Sequence, residues 1–151
     1  MQGLTEFFRE KKQRAEAETA GVDWEQAKQG WLNAIESLYR QIHSLVGEAA
    51  AQGSLQLSRR MKTISEDHLG TYDVPELVLT VGDERVIFSP RGRNVVGAEG
   101  RVDVIGESGE STLVFRSGPQ WSIVISRFPQ LRTVALDAPS FAEMLRGVMR
   151  P

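Results

Sequence analysis

Cysteine is absent from this chain of 151 residues, and histidine occurs only twice, as His43 and His68. Without cysteine the chain can form no disulfide, no thiolate nucleophile and no zinc site with sulfur ligands. Two histidines are too few for a histidine-based zinc site, and no compact acidic pattern indicates a magnesium site. We therefore expect no metal and no cofactor, and the missing cysteine suits a reducing cytoplasm.

Long apolar runs are missing as well. No uncharged apolar stretch approaches the roughly 18 residues that a transmembrane helix needs. The first residues, from Met1 to Glu6, lack the basic and apolar regions of a signal peptide. A formal net charge of −2 provides no overall attraction to nucleic acid or to anionic lipid. These absences predict a soluble, cytoplasmic protein that does not engage membranes.

The residues that are present describe an ordinary globular chain, 40% hydrophobic and 25% charged. This length fits one domain over residues 1–151, and the chain shows no internal repeat or linker. Arginine supplies all but one of the basic side chains in residues 54–151. Arginine suits bidentate contacts with anions, although a genome rich in G and C explains the same bias without any function.

The N-terminal region predicts two helices of different character. Over residues 1–20, an apolar tip of Leu4, Phe7 and Phe8 is followed by charged residues, which indicates a largely solvated, charged helix. Over residues 23–51, apolar side chains recur at spacings of three and four in a broad stripe: Trp31, Ile35, Leu38, Ile42, Leu45 and Ala49, with Leu32, Tyr39 and Val46 beside them. A stripe this broad predicts an amphipathic helix that lies on a sheet.

The remainder reads as short strands and a closing helix. Residues 54–137 alternate short apolar runs with turn signals such as Gly82-Asp83, and a short strand is expected at Val95-Val96. Short connections favour antiparallel neighbours. A C-terminal helix is predicted over residues 139–149, with Ser140 and Glu143 fitting a capping box. The expected fold is α+β: two N-terminal helices, an antiparallel β-meander or partly closed barrel, and a short C-terminal helix.

A candidate catalytic group lies between two predicted strands. His68 could act as a general base, oriented by Glu66, Asp67 or Asp73, with Tyr72 as a hydrogen-bond donor. The alternative is a polar connection in which these residue types serve the turn. No nucleophile stands at a known spacing from His68, so catalysis is the weakest of the hypotheses.

A candidate anion site lies in the glycine-rich region that follows. Arg91, Arg93 and Arg101 could present guanidinium groups to a phosphate. The spacing matches neither a Walker A loop nor a dinucleotide-binding fingerprint. The alternative is a hairpin whose arginines are solvated or pair with Glu99 and Asp103.

The cluster Arg59-Arg60-Lys62 is a weaker basic signal. On a strand, Arg60 and Lys62 share one face while Arg59 takes the other. Two charges on one face are too few for a nucleic-acid interface, and aromatic residues are not interleaved with them. We interpret the cluster as a solvated strand face.

Three segments together resemble a family of small bacterial domains of unknown activity. They are the W-L-x-x-I-x-x-L-Y helix Trp31–Tyr39, the segment Glu66–Tyr72, and the G-R-V-D-V segment Gly100–Val104. The resemblance implies a bacterial, cytoplasmic origin, and it implies no activity, cofactor or catalytic residue.

The leading hypothesis is a non-catalytic interaction module that binds a protein partner, or a second copy of itself, through its helical N-terminal part. Phe7 and Phe8 are the expected anchors, since aromatic residues dominate interface energetics. The alternatives are an anion or nucleic-acid binder that uses Arg91, Arg93 and Arg101, and a small enzyme centred on His68.

Overall fold

The structure is a computed structural model that describes residues 3–19, 23–92, 100–115 and 120–151, with only the backbone of residues 17–19. In chain order the helices are α1 (Leu4–Thr19), α2 (Trp24–Ala51) and α3 (Ala138–Val148). The strands are β1 (Gln56–Glu66), β2 (Gly70–Val81), β3 (Glu84–Gly92), β4 (Gly100–Ile105), β5 (Glu110–Phe115), β6 (Trp121–Ser126) and β7 (Arg132–Ala135). The α+β class is confirmed, whereas the strand expected at Val95-Val96 lies outside the described residues.

The amphipathic stripe predicted for residues 23–51 is the helical side of the core. The Asp23 carboxylate accepts a hydrogen bond from the Gln26 backbone N–H at 3.0 Å and caps the first turn of α2. The stripe is buried against the sheet at Trp31, Ala34, Ile35, Leu38, Tyr39, Ile42 and Val46. The Tyr39 hydroxyl donates to the Pro75 carbonyl at 2.6 Å, so α2 is tied to β2 as well as packed on the sheet.

The seven strands form one sheet in the order of the sequence, and every neighbouring pair is antiparallel. The sheet is not closed, so of the two predicted forms the open meander is confirmed. Gly82-Asp83 forms the predicted turn between β2 and β3, and Gly82 adopts a φ of 61°. Glycine suits that position because other residues pay a steric cost at positive φ.

The start of α3 corrects one prediction. Asp137, rather than Ser140, caps the helix: its carboxylate accepts from the Ser140 backbone N–H at 2.9 Å. The Ser140 hydroxyl in turn accepts from the Asp137 backbone N–H at 3.0 Å, which completes the capping box. The predicted box of Ser140 and Glu143 is therefore wrong by three residues, and Glu143 instead pairs with Arg146 at 3.2 Å.

Both α2 and α3 pack on the same face of the sheet. Phe88 of β3, Val104 of β4 and Leu113 of β5 belong to the core that these helices cover. Phe88 also stacks on Phe141 of α3, with ring centroids 6.2 Å apart. Because alternate residues of a strand point to opposite faces, the residues between these core positions point away from the helices.

α1 differs from the other helices because every described side chain on it is exposed. A helix that buries no apolar face gains little from tertiary packing. Among the described residues, no helix combines the length and apolar character needed to cross a membrane.

The contact between α2 and the start of β4 leaves no room for a side chain at Gly100. A Cβ added there would collide with the buried indole ring of Trp31. We expect Gly100→Ala to lower the free energy of unfolding by about 1–3 kcal/mol, as overpacking does. Gly30→Ala is the matched control, because nothing lies near that exposed helical position, and it should raise stability by up to about 1 kcal/mol. Thermal unfolding of both variants shows whether the melting temperature falls for Gly100→Ala and rises for Gly30→Ala.

Candidate functional site

The sheet face that points away from α2 and α3 carries a row of polar residues across five strands. Strand pairing places Arg60 opposite Glu76, Ser89 opposite Asp103, and Asp103 opposite Thr112. The Ser89 hydroxyl donates to the Glu76 carboxylate and joins the two halves of the row. Glu76, Ser89, Asp103 and Thr112 are all buried. The long side chains of Arg60, Lys62, Arg91 and Arg101 contact the two carboxylates and shield part of the row from solvent.

Each of the two buried carboxylates in the row holds two basic side chains. Glu76 accepts from Arg60 Nε at 2.7 Å and lies 4.0 Å from Lys62 Nζ. Asp103 accepts from the Nε atoms of Arg91 and Arg101, each at 2.7 Å through a different oxygen. We call Glu76 with Arg60 and Lys62 the Glu76 group, and Asp103 with Arg91 and Arg101 the Asp103 group. Each carboxylate neutralises only one of its two cations, so each group keeps a net positive charge.

The electrostatics of Glu76 follow from these contacts. Burial by itself raises the pKa of the Glu76 carboxyl. The hydrogen bonds from Ser89 and Arg60, together with the charges of Arg60 and Lys62, outweigh burial and hold that pKa below its ordinary value. Glu76 therefore stays ionised, which keeps the Arg60 guanidinium in place.

Lys62 contacts both Ser89 and Glu76. Its ammonium donates to the Ser89 hydroxyl at 2.6 Å, between Glu76 and the Asp103 group. Burial lowers the pKa of Lys62, and the positive charge of Arg91 lowers it further, while Glu76 and Asp103 raise it. Because the charge of Arg91 on β3 lowers the pKa of Lys62 on β1, these two side chains interact across the sheet.

A fifth basic side chain extends the row beyond β6. Arg127 Nη2 donates to the Thr112 hydroxyl at 2.8 Å. Arg101 and Arg127 both line a depression of about 400 Å³, together with Thr112 and Ser126. Glu110 also lines it and places one exposed carboxylate at the site. The depression thus combines two guanidinium groups with hydroxyl groups.

We name Arg60, Lys62, Arg91, Arg101 and Arg127 the cationic face. Among the described residues, these five positive side chains outnumber Glu76, Asp103 and the exposed Glu110, even when Glu66, whose carboxylate lies close to Gly92, is added. The described part of this surface is therefore locally positive although the whole chain carries −2. Half of the Arg60 and Arg91 side chains is exposed, at 53% and 49%, and each bonds its carboxylate through Nε. A guanidinium has five N–H donors, so most donors of these arginines remain accessible.

The fold places basic residues that were identified in the sequence next to one another. Arg60 and Lys62 share one face as predicted, and Arg59 takes the other, where it pairs with Glu36 at 2.9 Å. Arg60 is largely exposed, as the interpretation of a solvated strand face predicts, whereas Lys62 is partly buried. Glu76 and Ser89 also bind these two side chains, which that interpretation did not include. The two charges are also not isolated, since the sheet places three arginines beside them.

The predicted glycine-rich site is only partly described. Arg91 and Arg101 both pair with Asp103, as the alternative interpretation expects, whereas Arg93 and Glu99 lie outside the described residues. Anion binding by these arginines stays an untested prediction. Sequence reasoning missed Arg127 and the buried row beneath the cationic face. An Asp or Ser inside an apolar strand, as in Arg101-Val102-Asp103-Val104, is the one signal that could have indicated it.

The histidine candidate lies at the tip of the hairpin between β1 and β2. His68 adopts a φ of 70°, and its imidazole stacks on Trp24 of α2 with ring centroids 4.4 Å apart. The Tyr72 hydroxyl donates to the Glu66 carboxylate. Asp67 is exposed in the turn. These contacts favour a packing role for His68, and its catalytic role stays an untested prediction.

The aromatic pair of α1 is a second candidate site. Phe7 and Phe8 contact each other edge to face, with ring centroids 5.4 Å apart. Lys11 lies 5.9 Å from the Phe7 ring centroid. The tip is therefore an exposed aromatic surface bordered by positive charge.

The described residues include no group of three or more His, Asp or Glu side chains arranged to hold a metal ion. Comparison of the chain with protein-family models, with curated proteins and with solved structures finds no match. The resemblance to a bacterial domain family therefore stays a prediction, and any function rests on the geometry of this chain.

Proposed function

We propose that this protein is a non-catalytic interaction module of the bacterial cytoplasm that binds a protein partner through α1. The observation that carries the proposal is the exposed apolar tip of that helix. Leu4, Phe7 and Phe8 are 71%, 47% and 60% exposed. Large apolar side chains grouped on one exposed surface are typical of interaction sites.

The spacing of the tip suits binding of a helix in a groove. Leu4, Phe7 and Phe8 stand at positions i, i+3 and i+4, which places them on one face of α1. Peptide helices that enter apolar grooves use anchors at these spacings. A 16-residue helix on which every described side chain is exposed is marginally stable by itself, so a partner groove would also stabilise α1.

The charged residues of α1 indicate which kind of partner surface would bind it. Residues 9–14 of α1 are predominantly basic, with Arg9, Lys11, Lys12 and Arg14 around Glu10. Glu6, Glu16 and Glu18 balance these charges over the whole helix, so the basic part is confined to its middle. Complementary charge guides association and suppresses wrong partners. The expected partner therefore offers an apolar groove with an acidic rim.

Loss of the two rings should remove most of the binding free energy. Burying one Phe side chain contributes roughly 1.5–3 kcal/mol, and aromatic anchors are typical hot spots. We expect Phe7→Ala with Phe8→Ala to weaken capture of the partner by at least about thirtyfold, which corresponds to about 2 kcal/mol. Capture from a lysate of the host, with each co-purifying protein quantified by mass spectrometry, measures the effect.

Glu6→Ala with Gln13→Ala is the matched control, because both residues lie on the opposite side of α1. Both double variants should unfold at the temperature of the unaltered chain, since the substituted side chains are exposed. A partner retained by the Phe variant, or lost equally from the control, would contradict the proposal. Light scattering over a range of concentrations tests whether the partner is a second copy of the chain.

A further inference from the structure

We infer that the cationic face is a binding site for single-stranded nucleic acid, contacted through its phosphates. This site is independent of the partner surface on α1. Three features support it: the surplus of positive charge, the preorganised guanidinium groups, and the length of the face.

The cationic face holds more positive charges than its two buried carboxylates need, so some of them can interact with a bound anion. One cation would neutralise each of Glu76 and Asp103, yet each carboxylate holds two. The exposed portions of Arg60 and Arg91 present further N–H donors, which suit phosphate oxygens in planar, bidentate contacts. Because the carboxylates already position these side chains, a phosphate that binds them pays little of the usual ordering cost.

The length of the face selects an extended anion. Its residues run from β1, with Arg60 and Lys62, past β3 and β4 to Arg127 just beyond β6. Neighbouring strands lie about 4.8 Å apart, so the face extends over roughly 24 Å. One phosphate cannot reach all of these side chains, whereas a chain of phosphates can. The depression between Arg101 and Arg127 offers one phosphate two guanidinium groups and the hydroxyls of Thr112 and Ser126.

The residues of the cationic face also indicate which features of a nucleic acid it does not recognise. No aromatic side chain lines the depression among the described residues, and Phe128, the exposed chain neighbour of Arg127, is the one aromatic residue next to a member of the face in sequence. Binding should therefore depend on the phosphate backbone, be insensitive to base sequence and fall steeply with salt. A flexible single strand can follow a row of charges across a sheet. A stiff duplex would carry most of its phosphates over the remainder of a chain whose net charge is negative.

Fluorescence anisotropy of labelled single strands of about 15 nucleotides, one DNA and one RNA, tests the inference in full-length protein. The test variant is Arg60→Gln with Arg127→Gln, which removes one charge near each end of the face and leaves the Asp103 group intact. Each lost phosphate contact should cost roughly eightfold in affinity at about 50 mM salt. We expect the double variant to bind about ten- to sixtyfold more weakly. Its plot of log affinity against log salt should be shallower by about 1.4.

The matched control is Arg59→Gln with Arg146→Gln, which removes the same charge from other surfaces. Arg59 is the chain neighbour of Arg60 on the opposite face, and Arg146 lies on α3. The inference holds if this control binds within about twofold of the unaltered chain while the test variant loses affinity. Equal loss in both variants, or no binding of either strand by the unaltered chain at low salt, overturns it. Displacement of the strand by a mononucleotide at equal phosphate concentration also overturns it, in favour of a free nucleotide.

Discussion

Leu38→Ala should lower the free energy of unfolding by about 2–5 kcal/mol, the largest effect that we expect from truncating one side chain. Leu38 is fully buried between α2 and the sheet. The cost depends on whether the structure can collapse into the cavity. Here α2 is held on both sides of Leu38, because Trp121 Nε1 donates to the Ala34 carbonyl at 3.0 Å and Tyr39 donates to Pro75. The cavity should therefore remain open and the penalty should be large.

Urea unfolding and thermal melting measure this loss. A destabilisation of that size corresponds to a fall of about 5–15 °C in the melting temperature of a chain this long. Leu131→Ala is the control, since Leu131 is partly exposed and truncation there should change stability by less than about 0.5 kcal/mol. If Leu38→Ala lowered the free energy of unfolding by less than about 1 kcal/mol, α2 would not be held rigidly enough to keep the cavity open.

Glu76→Ala should produce the second large effect, with a loss of about 1–3 kcal/mol at neutral pH. The substitution removes the acceptor for Arg60 and Ser89 and the counter-charge of Lys62. Half of Arg60 is exposed, so water compensates part of its loss, whereas Ser89 and Lys62 are more enclosed. Glu76→Gln keeps the side-chain volume and a carbonyl acceptor, so it should cost less than Glu76→Ala.

The pH dependence of Glu76 has a definite sign. Its folded-state pKa is held below the ordinary 4.5 by Ser89, Arg60 and Lys62. A lowered carboxyl pKa stabilises the fold above the ordinary value, and that contribution is lost as the pH falls through the folded-state pKa. The stability difference between the unaltered chain and Glu76→Gln should therefore be full at neutral pH and shrink below pH 4.5. Urea unfolding at several acidic pH values tests this, and a difference that stays constant would contradict it.

Some of the correct predictions concern groups whose interactions are local in sequence. The turn at Gly82-Asp83 depends on backbone preferences within a few residues. The error at α3 is also local. Ser140 looks like a helix cap, but Asp137 three residues earlier accepts the hydrogen bond instead. Two competing caps within one turn cannot be ranked without the backbone path that enters the helix.

The cationic face shows why most of the candidate site could not be predicted. Arg60 and Glu76 are 16 residues apart, and Thr112 and Arg127 are 15 apart, so each contact depends on strand register. A shift of one residue in any strand would turn these side chains to the helical face. The sequence showed Arg60 and Lys62 as two isolated charges, because nothing local identifies the strands beside them.

By itself the sequence determined the α+β class, the amphipathic α2 and the alternation of strands and turns in the sheet. Periodicity, caps and turns are properties of neighbouring residues, so they can be read without the fold. Only the tertiary structure decided that the sheet is open, that both α2 and α3 cover one face, and that the opposite face collects five basic side chains. Those outcomes depend on the register between strands, which is set by burial of the whole apolar face at once.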